Sequence, residues 1–286
     1  MKSKVLLASI LISMLVVNVW AQDSSVMVNP FPFAEFENPG PPLVQAVPDP
    51  PGYKRFGESD LTEYQLWLTN LPLKAQGSRI LDWKGNPISE PDTINGILDF
   101  KVDSKYITAA DIPVMLLMHF FRLKGIINVV PIRISETMTV NYNDWLRGKY
   151  IDDEEKGLYY LDEGRTRSDT DEEFHKYLAF VTRYIDSKTL QLNLTNRDAR
   201  TVKPSHVYIQ KAVDNPDSVT RIGIVLDAAF AEGHMHKFLI AFGGNPAQSV
   251  IVPNAWSKTG AAWFNADELR EATKEDGMGY FYRWKK

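Results

Sequence analysis

Between Tyr106 and Leu123 the sequence YITAADIPVMLLMHFFRL places apolar residues on nearly every face of any helix drawn through it. Such a segment predicts a helix buried on most sides. Its start falls within Thr108 to Asp111, because Thr108 and Asp111 have the spacing of a capping box and Pro113 is best accommodated in a first turn. Upstream, Leu61, Tyr64, Leu68 and Leu71 recur at helical spacing, predicting a helix over 60–73 capped by Asp60. Downstream, NYNDWLRGKY predicts a short helix over 141–150 that ends at Gly148. Phe174, Leu178, Val181 and Ile185 share one face of an amphipathic helix expected over 171–190.

The pattern shortens elsewhere. A Lys-Gly-Asn turn at 84–86 predicts a hairpin, and strands are expected over 95–102 and 127–134, the second weakened by Pro131. Residues 152–173 form an acidic, turn-rich excursion compatible with a hairpin. They lack the regular ligand ladder of a calcium loop, so a solvated charged face is expected. After Pro204 the stretches HVYIQKAV, RIGIVLDAAF, HKFLIAFGG and SVIVPNAW predict an antiparallel meander. A helix over 265–276 and a final aromatic strand over 278–284 complete the chain. Helices first and an antiparallel sheet later make an α+β fold.

The beginning of the chain has a different character. Lys2 and Lys4 precede an apolar run from Val5 to Val19, and small residues follow, which reads as a secretory signal peptide over 1–21. That run of about 15 residues is short for a membrane span, which takes about 20. No cysteine follows it to carry a lipid. Residues 22–51 are Pro-rich, with Phe31, Phe33 and Phe36 interleaved, and residues 52–286 are expected to form a single α+β domain. Export to the periplasm or cell surface is the expected localisation, with no membrane insertion once the leader is removed.

Charge and composition narrow the chemistry. Beyond residue 21 the chain carries 30 basic against 36 acidic residues, which argues against a nucleic-acid partner. It has no cysteine, so disulfides, thiolate catalysis and Cys-ligated metals are all excluded. There is no Gly-rich phosphate loop and no G-x-S-x-G elbow. His234 and His236, two apart, together with Glu232 are weak candidates for a metal site that lacks an assignable further ligand. No cofactor is implied. His119 in the apolar helix is expected to be a core or interface residue, and His206 opens a strand. The many tryptophans either pack the core or form platforms for sugars and peptides.

Several stretches, taken in order, carry a resemblance: PPGYKRF, WLTNLPLK, NYNDWLRGKY, FHKYLAFVTRY, HVYIQ, IGIVLDAA, NPAQSVIV and AWF, running from Pro50 to the aromatic tail. This set resembles a family of exported proteins, mostly from Bacteroides-type bacteria, known as domain of unknown function 4846. That family looks papain-like or NlpC-like, with a cysteine at the start of a central helix, a histidine opening a strand and a polar residue on the next strand. The resemblance implies a papain-like core in which a buried helix packs on an antiparallel sheet. Laid on this sequence, the cysteine position falls at about Ala110, the histidine position at Arg221 and the polar position near Phe242. None of these can serve the family's chemistry, since alanine offers no nucleophile and arginine stays protonated.

The resulting expectation is an exported pseudoenzyme of the cell envelope. It would bind a cell-wall peptide, a glycan or another envelope protein without catalysis, in a cleft near Ala110, Asp111, Arg221 and Asn245. An ordinary strand-end role for Arg221 is the competing reading. Two alternatives stay open: a metal-dependent or acid–base hydrolase acting on cell-wall or glycan material, and a structural subunit of an envelope complex.

Overall fold

Helix α3 (Asp111–Leu123) is the centre of the molecule, and every residue from Asp111 to Phe120 is buried. The computed structural model describes residues 39–88, 94–102, 104–153, 155–162, 164, 166–253 and 262–285. The signal peptide expected over 1–21 and the first part of the Pro-rich segment lie outside the described residues. Because α3 has no polar face, it is covered on several sides. Its sheet side meets Ile222, Ile224, Leu226, Leu239 and Ala241, which belong to the same core. On another side Phe120 meets Tyr64 and Trp67, with ring centroids 5.1 and 5.7 Å away. On a third, His119 lies edge-on to Phe100 and Phe174. His119 is thus a core residue, as expected.

The short strands and helices around this core are, in chain order, β1 (Pro39–Pro42), α1 (Leu43–Ala46), β2 (Lys54–Arg55), α2 (Glu63–Thr69), β3 (Pro72–Lys74) and β4 (Ile94–Ile97). After α3 come β5 (Ile132–Arg133), β6 (Thr139–Val140), α4 (Tyr142–Leu146), β7 (Tyr150–Asp153), β8 (Gly157–Tyr160), α5 (Asp171–Thr182), α6 (Ser187–Leu192) and β9 (Leu194–Arg197). The last third supplies β10 (Val207–Lys211), β11 (Val219–Phe230), β12 (Lys237–Phe242), β13 (Ile251–Pro253), α7 (Ala266–Ala272) and β14 (Met278–Trp284). The main sheet has eight strands in the order β4-β13-β12-β11-β10-β14-β9, with β2 added beside the end of β11. All its pairings are antiparallel. The fold is α+β, and the expected meander is present as β10 to β13.

The two sheet faces carry separate cores. Alternation along β11 sends Ile222 and Ile224 toward α3 and Val225 to the opposite face. That second core contains Tyr208, Phe238, Phe242, Phe264 and Phe281, and Leu269 of α7 packs into it.

Several boundaries differ from the sequence expectation, each for a local reason. The 60–73 helix is shorter because Thr62, not Asp60, caps it: its hydroxyl accepts from Gln65 N while Gln65 Oε1 accepts from Thr62 N. The helix expected over 171–190 is two helices. Asp186 accepts from the backbone N–H groups of Lys188 and Thr189, starting α6 afresh. The strand expected over 127–134 survives only as the two-residue β5, preceded by a 3₁₀ turn over Ile127–Val129. Pro131 cannot donate to a ladder there. The Pro-rich segment is also structured from Pro39 onward. β1 pairs with β3, and Leu43 is fully buried.

A single arginine fastens this N-terminal strap. Arg55 Nε donates to Asp227 Oδ2 at 2.6 Å, while its two terminal nitrogens donate to Asp49 and to the carbonyl of Val47. Its guanidinium lies 5.0 Å from the ring centroid of Trp263, whose indole N–H donates to Pro48 O. Burial pushes the Asp227 carboxyl up to about 6 against the opposing pull of Arg55. Removing the cation leaves a buried carboxyl without its charged partner. Arg55→Met is therefore expected to lower stability by about 3 kcal/mol, and Asp227→Asn in the same chain to recover part of that loss. Urea denaturation of the two single variants and the double variant measures both effects.

Candidate functional site

The start of α3 comes first, because the resemblance places a nucleophile there. Ala110 is the N-cap residue, has helical backbone angles and is 4% exposed. Its methyl group offers no chemistry. Asp111 begins the helix proper and reaches back, its Oδ2 accepting from Thr108 N at 2.7 Å and Thr108 Oγ1 at 3.0 Å. Its other oxygen is buried without a hydrogen-bond partner. Burial drives the Asp111 carboxyl up to about 7, outweighing the two bonds from Thr108. Gly243, just after β12, lies against this turn. A Cβ there would come within 2.8 Å of Ile112 Cγ1 and 3.4 Å of Ala109 Cα.

The four residues of the expected cleft are only partly brought together. Asn245 is exposed in the turn after β12, two residues from Gly243, and so belongs to the same end of the sheet as Ala110 and Asp111. Arg221 also belongs to that end of β11, but on the opposite face. It pairs in register with Gln210, its guanidinium lies 3.4 Å from Asp276 and 3.5 Å from Gln210 Oε1, and Gln210 Nε2 donates to the carbonyls of Thr273 and Gly277. That is the α7 face. Strand alternation separates Arg221 from Ala110, because the residue facing α3 at this position is Ile222.

The histidine candidates are also dispersed. His236 Nδ1 lies 2.8 Å from the carbonyl of Val202, and its ring lies edge-on to Phe56. His234 is exposed, 6.2 Å from the Tyr53 ring. Among the described residues, no three His, Asp or Glu side chains are placed to hold a metal ion, Glu232 included. His206 is buried and its Nδ1 accepts from Lys203 N. Burial first, then Lys203 and His236, hold it down to about 4, so it is neutral at pH 7.

A groove not anticipated from the sequence lies where α4, α5 and β7 meet. It encloses about 620 Å³ and opens to solvent. Trp145 of α4 forms its aromatic wall against Phe180, with ring centroids 4.9 Å apart. The indole N–H donates to Glu173 Oε1 at 2.8 Å, and the Arg167 guanidinium stacks 4.2 Å from the indole centroid. Arg167 also approaches Glu173 at 3.4 Å. Across the groove Asp152 accepts from the Tyr184 hydroxyl at 2.6 Å and pairs with Arg183. The polar groups of this wall are therefore held in place by one another, beside an aromatic face.

The Asp111 carboxyl has a testable consequence. Its pKa is higher in the folded chain than in the unfolded one, so the folded state binds more protons between about pH 4 and 7. Stability then falls as pH rises through that window and levels off above it. Asp111→Asn removes this dependence. The stability difference between variant and parent should therefore move in favour of the variant from pH 4 to pH 8, as read by thermal melts at each pH.

Comparison with known proteins bears on the whole chain. No curated protein and no solved structure matches it. The profile of the family described as "Domain of unknown function (4846)" matches residues 43–276, from the start of α1 to the turn before β14. The chain is therefore a member of the domain of unknown function 4846 family.

Proposed function

We propose that this chain is an exported envelope protein that binds a peptide-like ligand without cleaving it, and that the groove at Trp145 is where it binds. The observation that carries this reading is the groove itself. An indole wall lies beside fixed groups of both charges, with Arg167, Lys176 and Arg183 set against Asp152 and Glu173. Such a surface suits a ligand carrying both amines and carboxylates, as a cell-wall stem peptide does. The leader-like segment over 1–21 supports export. Support for a non-catalytic role comes from the buried Ala110 where the resemblance would place a thiol. The papain-like ancestry that the resemblance implies is consistent with a buried helix on an antiparallel sheet. The would-be partners Ala110 and Arg221, however, face opposite sides of that sheet, so the proposal does not depend on them.

Titration of the purified chain with a cell-wall stem tetrapeptide tests the reading. The peptide should raise the melting temperature, and Arg167→Ala or Lys176→Glu should weaken binding about tenfold or more. No shift with the peptide, or unchanged affinity in both variants, overturns it.

A further inference from the structure

A second concavity lies against the hairpin that follows β3. It holds about 250 Å³, below the roughly 300 Å³ at which pockets for drug-sized ligands begin, and so has room for about one ring. Lys74, Lys84 and Lys101 line it together with Trp83, Asp82 and Asp99. Three lysines thus face two carboxylates. Asp82 uses both oxygens inside its own turn: Oδ1 accepts from Lys84 N and Asn86 N, and Oδ2 from Asn86 Nδ2. Those bonds, the Asn86 amide first, and the nearby Lys84 charge hold its carboxyl below the usual range, so it stays ionised and offsets one of the three cations. Asp99 is 3% exposed, beneath the surface. The half-buried Trp83 packs against the main core. The long, exposed Lys84 side chain lies over its ring with the ammonium 4.9 Å from the centroid, so a ligand ring reaches the indole where this flexible side chain swings aside. An aromatic surface and a cation therefore occupy adjacent positions at the same opening.

We infer that this pocket binds a single-ring carboxylate, the ring lying on Trp83 and the carboxylate meeting Lys84 and Lys74. Aromatic faces hold the apolar face of a sugar or an arene through area and dispersion, while ammonium groups select the anion. An acidic sugar and an aromatic acid share this chemistry. The inference is independent of the Trp145 groove, and its variants touch none of the groove residues.

Ligand-observed NMR titration of the purified chain with sodium glucuronate, sodium benzoate, glucose and inorganic phosphate decides the matter. One of the ring acids should bind at least about tenfold more tightly than glucose and phosphate, and the tighter of the two identifies the source. Added salt should weaken binding, because the cations lie near the surface. Lys84→Met, at an exposed position, should weaken it about fivefold or more without changing the melting temperature. Trp83→Phe should retain part of the affinity that Trp83→Ala loses, and it carries the test should the alanine variant fail to fold. Phosphate binding as tightly as the ring acids overturns the inference, since it would mark a bare anion site. So does glucose binding as tightly, the absence of binding by both acids, or unchanged affinity in Lys84→Met.

Discussion

A helix with no polar face must be enclosed, and most of this architecture follows from enclosing α3. Ten consecutive residues from Asp111 to Phe120 are buried. A side chain of this size contributes about 1.5–3 kcal/mol when taken out of water, so leaving one side of the helix exposed would forfeit much of the core. The sheet covers one side through β11 and β12. Tyr64 and Trp67 of α2 cover another, and Phe174 of α5 closes against His119. Gly243 lets the chain leaving β12 come close to the first turn of the helix, where a Cβ would collide with Ile112.

Enclosure buries charge as well as hydrocarbon, and the molecule handles the buried groups in different ways. Asp227, on β11, has a cation. Arg55 answers it and at the same time fastens the strap through Asp49 and Val47. Asp111 has hydroxyl and amide donors on one oxygen but no cation, and its carboxyl is accordingly pushed further up than that of Asp227. His206 is held neutral, its Nδ1 accepting a backbone hydrogen bond. Desolvation is the largest influence on all three; hydrogen-bond donors offset part of it at Asp227 and Asp111, whereas Lys203 and His236 add to it at His206.

Much of the local structure was legible in the sequence because it depends on neighbours along the chain. The buried helix, the β10–β13 meander and the last helix all announce themselves by periodicity and turn chemistry. The misjudged boundaries were local contests as well. Thr62 outcompeted Asp60 because Gln65 lies at the reciprocal position, and Asp186 cut one predicted helix into two by capping the second. The candidate site was far less legible. Trp145 belongs to the short helix expected over 141–150, whereas Asp152, Arg167 and Glu173 fall within the acidic excursion over 152–173 that reads as a solvated face compatible with a hairpin, and no spacing rule relates them. Likewise, nothing in the residues around Ala110 and Arg221 reveals that the sheet runs between them.

The sequence by itself determined the α+β class, the burial of α3, the antiparallel meander and the absence of thiol chemistry. Each of these is a property of composition or of a repeat of two or about 3.6 residues. Tertiary structure alone decided which residues meet: that Arg55 would find Asp227, that Arg221 would turn toward α7, and that a tryptophan and charges of both signs would border one groove. The reason is physical. A side chain's face follows from its own strand or helix period, but its partners across the core depend on how sheet and helices pack, which is settled by the whole apolar surface at once.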